Sequence, residues 1–131
     1  MSLLPPVAHP LRIRELTKWF GDTLALNQLS LDVPTGSCFG LVGPNGSGKS
    51  TTLRSVIGLV RIDAGTIEVC GHDLASDLQL ARSTMGVVLD PLQLFERLTA
   101  HEFLMTIGEL RGLDADLTSA RSAELLATLQ L

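Results

Sequence analysis

The sequence predicts an α/β fold in which antiparallel strands precede a strand-loop-helix unit and two further helices. Short apolar runs separated by turn residues open the chain, a glycine-rich loop stands between an apolar run and a helical pattern, and apolar residues then recur at helical spacing. With 131 residues, of which 45% are hydrophobic and 18% charged, the chain is long enough to bury a core. These observations define the predicted fold class.

Turn residues divide the opening of the chain into strands. Residues 11–16 have the composition of a strand, and residues 28–33 alternate apolar and polar side chains. Pro34-Thr35-Gly36 then turns the chain into a third apolar run, residues 37–42, which we expect to be a buried strand. The opening is therefore predicted to be antiparallel.

The loop that follows matches the phosphate-binding pattern G-x-x-x-x-G-K-S. The residues expected to bind the cofactor here are Gly43, Pro44, Asn45, Gly46, Ser47, Gly48, Lys49, Ser50 and Thr51. A helical pattern follows over residues 51–57, so the loop has the strand before it and the helix after it that a phosphate-binding loop (P-loop) requires.

Each residue type in the loop has a chemical reason. Glycines at 43, 46 and 48 allow positive φ and let backbone N–H groups approach an oxygen without an intervening Cβ. The following helix adds its N-terminal N–H groups and the positive end of its dipole. Lys49 is expected to reach the β- and γ-phosphates, Ser50 to bind Mg²⁺, and Thr51 to donate to the α-phosphate. The sequence thus predicts a site for a magnesium-bound nucleotide.

After the loop, turn residues again mark the boundaries. Gly58 is expected to end the first helix, Asp63-Ala64-Gly65 to form a turn and residues 66–70 a strand. Residues 77–82 suit a short helix, and residues 85–89 a buried strand that leads into Asp90-Pro91.

The C-terminal part is predicted to contain two helices. Thr99 and Glu102 have the spacing of a capping box at the start of a helix over about residues 100–111. The second helix is expected over residues 117–131, and its leucines occupy one face of a width suited to burial. Those leucines are Leu125, Leu126 and Leu129.

Composition excludes several classes of function. A net charge of −4 argues against a nucleic-acid surface. Cys38 and Cys70 lack metal-ligand spacing and stand in apolar runs, which favours reduced core thiols of a cytosolic protein. No segment approaches the roughly 20 apolar residues of a membrane span, and residues 1–10 are expected to be a loose leader.

From Leu11 onward the chain resembles the ATP-binding subunit of an ABC transporter. The landmarks that carry the resemblance are Leu16-Thr17-Lys18-Trp19-Phe20-Gly21, Leu24-Ala25-Leu26, Leu29-Ser30-Leu31, Gly36, the loop 43–51, Gly58-Leu59, Asp63-Ala64-Gly65 and Leu98-Thr99-Ala100. By this resemblance residues 11–131 are the N-terminal portion of a nucleotide-binding domain, with the catalytic core to about residue 91 and the start of a helical subdomain over 92–131. The implied fold is a P-loop NTPase core with an antiparallel β portion and an incomplete helical subdomain.

The resemblance also implies a function. Such subunits bind ATP and Mg²⁺, dimerise with a second nucleotide-binding domain, hydrolyse ATP, and drive a transmembrane permease from the cytoplasmic face of the cell membrane. Phe20 stands where the family places an aromatic residue that stacks on adenine, usually a tyrosine. Residues 96–99 and 109–113 resemble the export-type branch.

Several family landmarks are absent from the sequence. The L-S-G-G-Q signature, a strand ending in Asp-Glu and a later switch histidine do not occur. His72 and His101 precede the place of a switch histidine and are expected to be a turn residue and a helix-surface residue. We therefore expect the 131 residues to be the front part of a domain and to lack sustained hydrolysis, although Lys49 and Asp90 are its candidate catalytic residues.

Asp90 allows three interpretations. It ends an apolar strand and could be a Mg²⁺ ligand of a small-molecule kinase or GTPase-like domain. It could instead replace the glutamine of the family's Q-loop, which the antiparallel opening and the Thr99 helix favour, and it would then lie near the metal. It could also simply form an Asx turn before Pro91. Gln93 could serve as the Q-loop residue only if that loop were shifted.

Two rival functions are also compatible with the sequence. A soluble ABC-type ATPase acting in translation or DNA repair would carry the same loop, and a P-loop kinase would transfer phosphate to a small acceptor.

Overall fold

A computed structural model describes residues 9–88 and 97–131. The chain divides into two compact units, Met1–Val87 and Val88–Leu131. In the described residues no helix combines the length and the apolar character needed to cross a membrane.

A four-stranded antiparallel sheet forms most of the first unit, with strand order β2-β1-β3-β4. The strands are β1 (Leu11–Phe20), β2 (Thr23–Val33), β3 (Ala64–Val69) and β4 (His72–Asp73). Gly21 and Asp22 connect β1 to β2, so both strands are longer than the sequence pattern indicated. The predicted antiparallel opening is confirmed, and so is the strand predicted over residues 66–70, although β3 begins at Ala64, inside the turn expected at residues 63–65.

A β-bulge in β1 determines which side chains are buried. The pairing of β1 with β2 shifts register between Ile13 and Leu16, and Glu15 within this stretch has a φ of 50°. Regular alternation would place residues 13 and 16 on opposite faces, but both are completely buried. The Glu15 N–H, displaced from the regular ladder, donates to Ser30 Oγ at 2.9 Å.

The core of this unit lies between the sheet and two helices, α1 (Lys49–Val56) and α2 (Leu78–Ser83). Its buried apolar residues are Ile13, Leu16, Leu26, Val56, Ile67, Val69 and Ala81. Leu29 and Leu31 pack against this cluster, as the alternation in β2 predicts. Gly58, with a φ of 72°, follows α1 as expected.

Two predicted strands are wrong. Residues 37–42 form no strand, and Val42 is 97% exposed. Residues 85–88 form none either, with Val88 at 88% exposure, while residue 89 lies outside the described residues. A buried strand requires neighbours that pair its N–H and C=O groups, and within the described residues no strand pairs with either segment.

The two cysteines differ in their surroundings. Cys38 is exposed, so its prediction as a core thiol is wrong, whereas Cys70 is half-buried and packs against the core. Neither forms a disulfide.

The second unit contains α3 (Ala100–Leu110) and α4 (Ala115–Leu129). The capping box is confirmed: the Glu102 N–H donates to Thr99 Oγ1 at 3.2 Å, and the Thr99 N–H donates to Glu102 Oε2 at 2.8 Å. The bond that the carboxylate accepts from the Thr99 N–H, followed by one from the Thr99 hydroxyl at 2.8 Å, lowers the pKa of Glu102. Gly112 follows with a φ of 67°, as expected for a helix end.

The two helices pack through small residues rather than leucines. Gly108 of α3 is buried, and a Cβ at that position would collide with the Thr118 side chain of α4. Thr118 and Ser122 are the buried residues of α4, whereas Leu125 and Leu129 are 50% and 65% exposed. The leucine face suited to burial therefore stays largely uncovered within this unit, with Leu126 half-buried, because the close approach at Gly108 turns a different face of α4 toward α3.

Candidate functional site

The phosphate-binding loop joins directly to α1, and its glycines determine how it does so. Gly46 and Gly48 have φ values of 82° and 90°, a region that favours glycine. Gly48 is the N-cap of α1, and a Cβ there would lie 2.6 Å from Leu26 Cδ2 and 2.8 Å from the Ala25 carbonyl oxygen. The absence of a side chain at Gly48 therefore allows the start of α1 to pack against β2.

Gly43 has a different role from the one expected. It is not among the residues with positive φ, so the predicted left-handed conformation is wrong at this position. A Cβ on Gly43 would lie 2.8 Å from Ser47 Oγ. Gly43 therefore provides space for the side chain on the opposite limb of the loop.

The Lys49 ammonium occupies the middle of the loop. Its Nζ donates to the carbonyl oxygens of Gly43 at 2.7 Å and Pro44 at 2.8 Å, and lies 3.4 Å from Ser47 Oγ. An ammonium group has three donors and no acceptor, so these oxygens surround the positive charge and hold it at the loop. An anion that enters the loop meets this charge directly.

The N-terminal end of α1 is also suited to an anion. The first backbone hydrogen bond of the helix runs from the Thr52 N–H to the Gly48 carbonyl oxygen at 2.8 Å, and the N-cap residue, Gly48, has no side chain that could cap the helix. Its first turn contains no acidic residue. Ser50 is exposed and Thr51 half-buried at this end. The N–H groups of the first turn and the helix dipole are thus available to a phosphate.

Phe20 lies at the end of β1 and is 50% exposed. Lys18, two residues earlier, pairs with Leu26 across the hairpin, and Leu26 is the residue against which Gly48 packs. The same β1-β2 hairpin therefore carries the exposed aromatic ring and supports the phosphate-binding loop. The Lys18 ammonium lies 5.3 Å from the centroid of the Phe20 ring.

The sequence indicated Asp63 only as part of an expected turn and of a family landmark, with no role at the site. Its carboxylate accepts from the Trp19 N–H at 2.7 Å and from Lys18 Nζ at 3.1 Å. The bond from the Trp19 N–H, followed by that from Lys18, lowers the pKa of Asp63. No local pattern could have revealed these contacts, because 44 residues separate Asp63 from Trp19 in the chain.

Asp90 and Gln93 lie outside the described residues. The described part of the chain also contains a cavity of about 490 Å³ between the end of α1, β3 and residues 73–78, and none of its lining residues belongs to the loop 43–51. The Ser55 hydroxyl, buried beside this cavity, has no hydrogen-bond partner among the described residues.

The sequence profile of the family described as "ABC transporter" matches residues 26–131, which is most of the chain. The chain belongs to the ABC transporter family. The resemblance seen in the sequence motifs is therefore confirmed, and so is the α/β fold of a P-loop NTPase core with an antiparallel portion.

Curated ABC proteins resemble this chain over most of its length. It is 43% identical over 121 residues to the Nod factor export ATP-binding protein I of Burkholderia lata, covering 92% of this chain and 40% of that protein. It is 37% identical over 116 residues to the linearmycin resistance ATP-binding protein LnrL of Bacillus subtilis, covering 88% of this chain and 37% of that protein. It is 40% identical over 111 residues to the daunorubicin/doxorubicin resistance ATP-binding protein DrrA of Streptomyces peucetius, covering 85% of this chain and 34% of that protein.

A solved structure described as the ATP binding subunit of an ABC transporter also resembles the chain. The TM-score is 0.71 at 30% identity, over 79% of this chain and 43% of that one. The chain spans about two fifths of the length of the ABC proteins it matches.

Proposed function

We propose that this ABC chain binds Mg-ATP through residues 43–51 and belongs to the subunit that powers export through a partner permease. The observation that carries the proposal is the loop itself, in which the Lys49 ammonium and the uncapped start of α1 come together. Both are positive, and both lie where the glycine backbone leaves room for phosphate oxygens.

Each loop residue has a role that its position supports. Lys49 would exchange the carbonyl oxygens of Gly43 and Pro44 for those of the β- and γ-phosphates, because phosphate oxygens carry more negative charge. Ser50, exposed at the start of α1, has the hard oxygen ligand that Mg²⁺ prefers, and Thr51 in the first turn would donate to the α-phosphate. A Mg²⁺ ion held by the Ser50 hydroxyl would neutralise negative charge on the ATP phosphates.

The base would stack on Phe20. Its half-exposed ring offers a π-face, and base stacking on an aromatic side chain needs no hydroxyl group. ATP would then contact both the hairpin end and the loop that the same hairpin supports.

The names of the relatives support the transport role. Those relatives are described as ATP-binding proteins of Nod factor export and of drug resistance, which favours an export role over translation, DNA repair or kinase chemistry. We propose a transmembrane permease and a second nucleotide-binding domain as partners, no nucleic-acid partner, and a position on the cytoplasmic face of the membrane. The net charge of −4 agrees with the absence of a nucleic-acid partner.

The first test measures binding and turnover on the 131-residue chain. Mg-ATP is expected to raise the melting temperature, while phosphate release stays at the level without protein, because this sequence lacks the family's signature loop, Asp-Glu strand end and switch histidine. A melting temperature that does not respond to millimolar Mg-ATP would contradict the binding proposal. Steady phosphate release lost in the Lys49→Ala variant would contradict the absence of turnover.

The second test concerns Asp90, which we propose occupies the Q-loop position near Mg²⁺ and the γ-phosphate. Asp90→Asn removes one negative charge at constant size, so it should tighten metal-free ATP binding and reduce the gain in affinity on adding Mg²⁺. Titrations of ATP with and without Mg²⁺ measure both effects.

Asp114→Asn is the matched control, since it removes the same charge in the second unit and asparagine caps a helix as well as aspartate. Its affinities should equal those of the unchanged chain. Identical metal dependence in Asp90→Asn and the unchanged chain would support a turn residue instead.

A further inference from the structure

Three hydrogen bonds connect residue 63 to the end of β1. The Asp63 N–H donates to the Thr17 carbonyl oxygen at 3.0 Å, the Trp19 N–H donates to Asp63 Oδ2 at 2.7 Å, and Lys18 Nζ donates to Asp63 Oδ1 at 3.1 Å. Both carboxylate oxygens are therefore engaged, each by a different donor of β1. The stretch that they hold immediately precedes Phe20.

The position of Asp63 explains why a side chain is needed there. The pairing of β1 with β3 ends at Thr17 and Ala64, and beyond this pair β1 continues only beside β2. The Trp19 N–H thus finds its acceptor in the Asp63 carboxylate, where a longer β3 would have offered a carbonyl group. Asp63 extends the ordered part of β1 by two residues on the β3 side.

Lys18 connects Asp63 to the aromatic ring of Phe20. Its side chain is only 13% exposed, Asp63 holds its ammonium, and that ammonium lies 5.3 Å from the Phe20 ring centroid. This distance is within the range of a cation–π contact. A ring held by Lys18 and still half-exposed retains surface for a second planar group.

We propose that Asp63 is a positioning residue for the nucleotide base. By binding the Trp19 N–H and the Lys18 ammonium, it presents the Phe20 ring for stacking, and this inference rests on the proposed ATP-binding function. Asp63 contacts the ring only through Lys18 and the backbone, so its effect is on the contribution of the base and not on that of the phosphates.

The test compares ATP with inorganic tripolyphosphate, which has the phosphate chain without the base. Asp63→Ala should lower the ratio of ATP affinity to tripolyphosphate affinity by about fivefold, the lower end of what one base-aromatic stack contributes. Affinity for tripolyphosphate should stay unchanged. A purely structural role would weaken both ligands together and leave the ratio constant.

Asp63→Asn supplies a second variant that preserves the shape of the site. The amide oxygen still accepts from the Trp19 N–H, but the charge opposite Lys18 is lost, so the ratio should fall by less than in Asp63→Ala. This variant decides the question if the alanine variant does not fold.

Asp32→Ala is the matched control. Asp32 accepts from Arg14 at 2.8 Å, near the opposite end of β1 from Phe20, and its side chain is 35% exposed against 44% for Asp63. Removing this carboxylate should leave the affinity ratio unchanged.

A double-mutant cycle with Phe20→Ala tests whether Asp63 affects base binding through the Phe20 ring. In the Phe20→Ala background, Asp63→Ala should not lower the ratio further. An unchanged ratio in both Asp63 variants, or the same loss without Phe20, overturns the positioning role while ATP binding itself stands. If the unchanged chain binds neither ATP nor tripolyphosphate, the proposed function fails and this inference fails with it.

Discussion

Replacing Lys49 by alanine is expected to remove most of the stabilisation that ATP gives the native chain. Ligand bound only to the native state contributes about 2.7 kcal/mol when its free concentration is about a hundredfold above Kd. For a domain of this size that corresponds to a rise in melting temperature of roughly 10 °C. In the structure Lys49 supplies the ammonium at the centre of the loop, so its removal leaves only the backbone N–H groups to bind the phosphates.

Arg54→Ala is the control for the change in charge. Arg54 lies on the same helix, is exposed, and stands in its last turn, away from the loop. The ATP-induced shift of the melting temperature should persist in Arg54→Ala and nearly vanish in Lys49→Ala, measured by differential scanning fluorimetry at several ATP concentrations. An undiminished shift in Lys49→Ala would refute the assignment of the loop.

The second large effect is expected at Gly65, where alanine should lower the free energy of unfolding of the first unit by about 3 kcal/mol. Gly65 has a φ of 93°, and a Cβ there would collide with the Arg14 carbonyl oxygen and lie 2.6 Å from the Glu15 carbonyl oxygen. Both neighbours are backbone atoms of the bulge in β1, so no rotamer change relieves the collision. Urea unfolding of the two proteins measures the difference.

Gly71→Ala separates the cost of a positive φ from the cost of the steric collision. Gly71 also has a positive φ, 85°, but a Cβ there would meet no heavy atom within 4 Å. Its substitution should cost only the conformational part, about 1 kcal/mol. Equal losses of unfolding free energy in Gly65→Ala and Gly71→Ala would show that β3 does not pack tightly against the bulge.

Local chemistry made the phosphate-binding loop and the capped helix predictable. In the loop, the glycines at 46 and 48, the lysine and the helix start lie within a few residues of one another, so their geometry follows from short-range backbone preferences. The capping box of Thr99 and Glu102 is equally local, and it was found where the spacing predicted it.

The errors share a different cause. Residues 37–42 and 85–88 are apolar, but whether an apolar run becomes a strand depends on which strands lie beside it. In α4, the leucine stripe marks a face suited to burial, but the close packing of Gly108 against Thr118 buries a different face. Hydrophobic periodicity describes a single element and contains no information about the surface that it meets.

Residue types and their spacing were enough to predict a phosphate-binding loop that leads into a helix, antiparallel strands before it, and the resemblance to ABC ATP-binding subunits. Three features could be seen only in the folded chain: a bulge at Glu15 buries both Ile13 and Leu16, Gly48 packs on Leu26, and Asp63 binds the end of β1. The loop depends on backbone conformations of adjacent residues, which residue type controls directly. The bulge and the Asp63 contacts depend on the register between strands that are distant in the chain, and register is set by all the pairings of the sheet together.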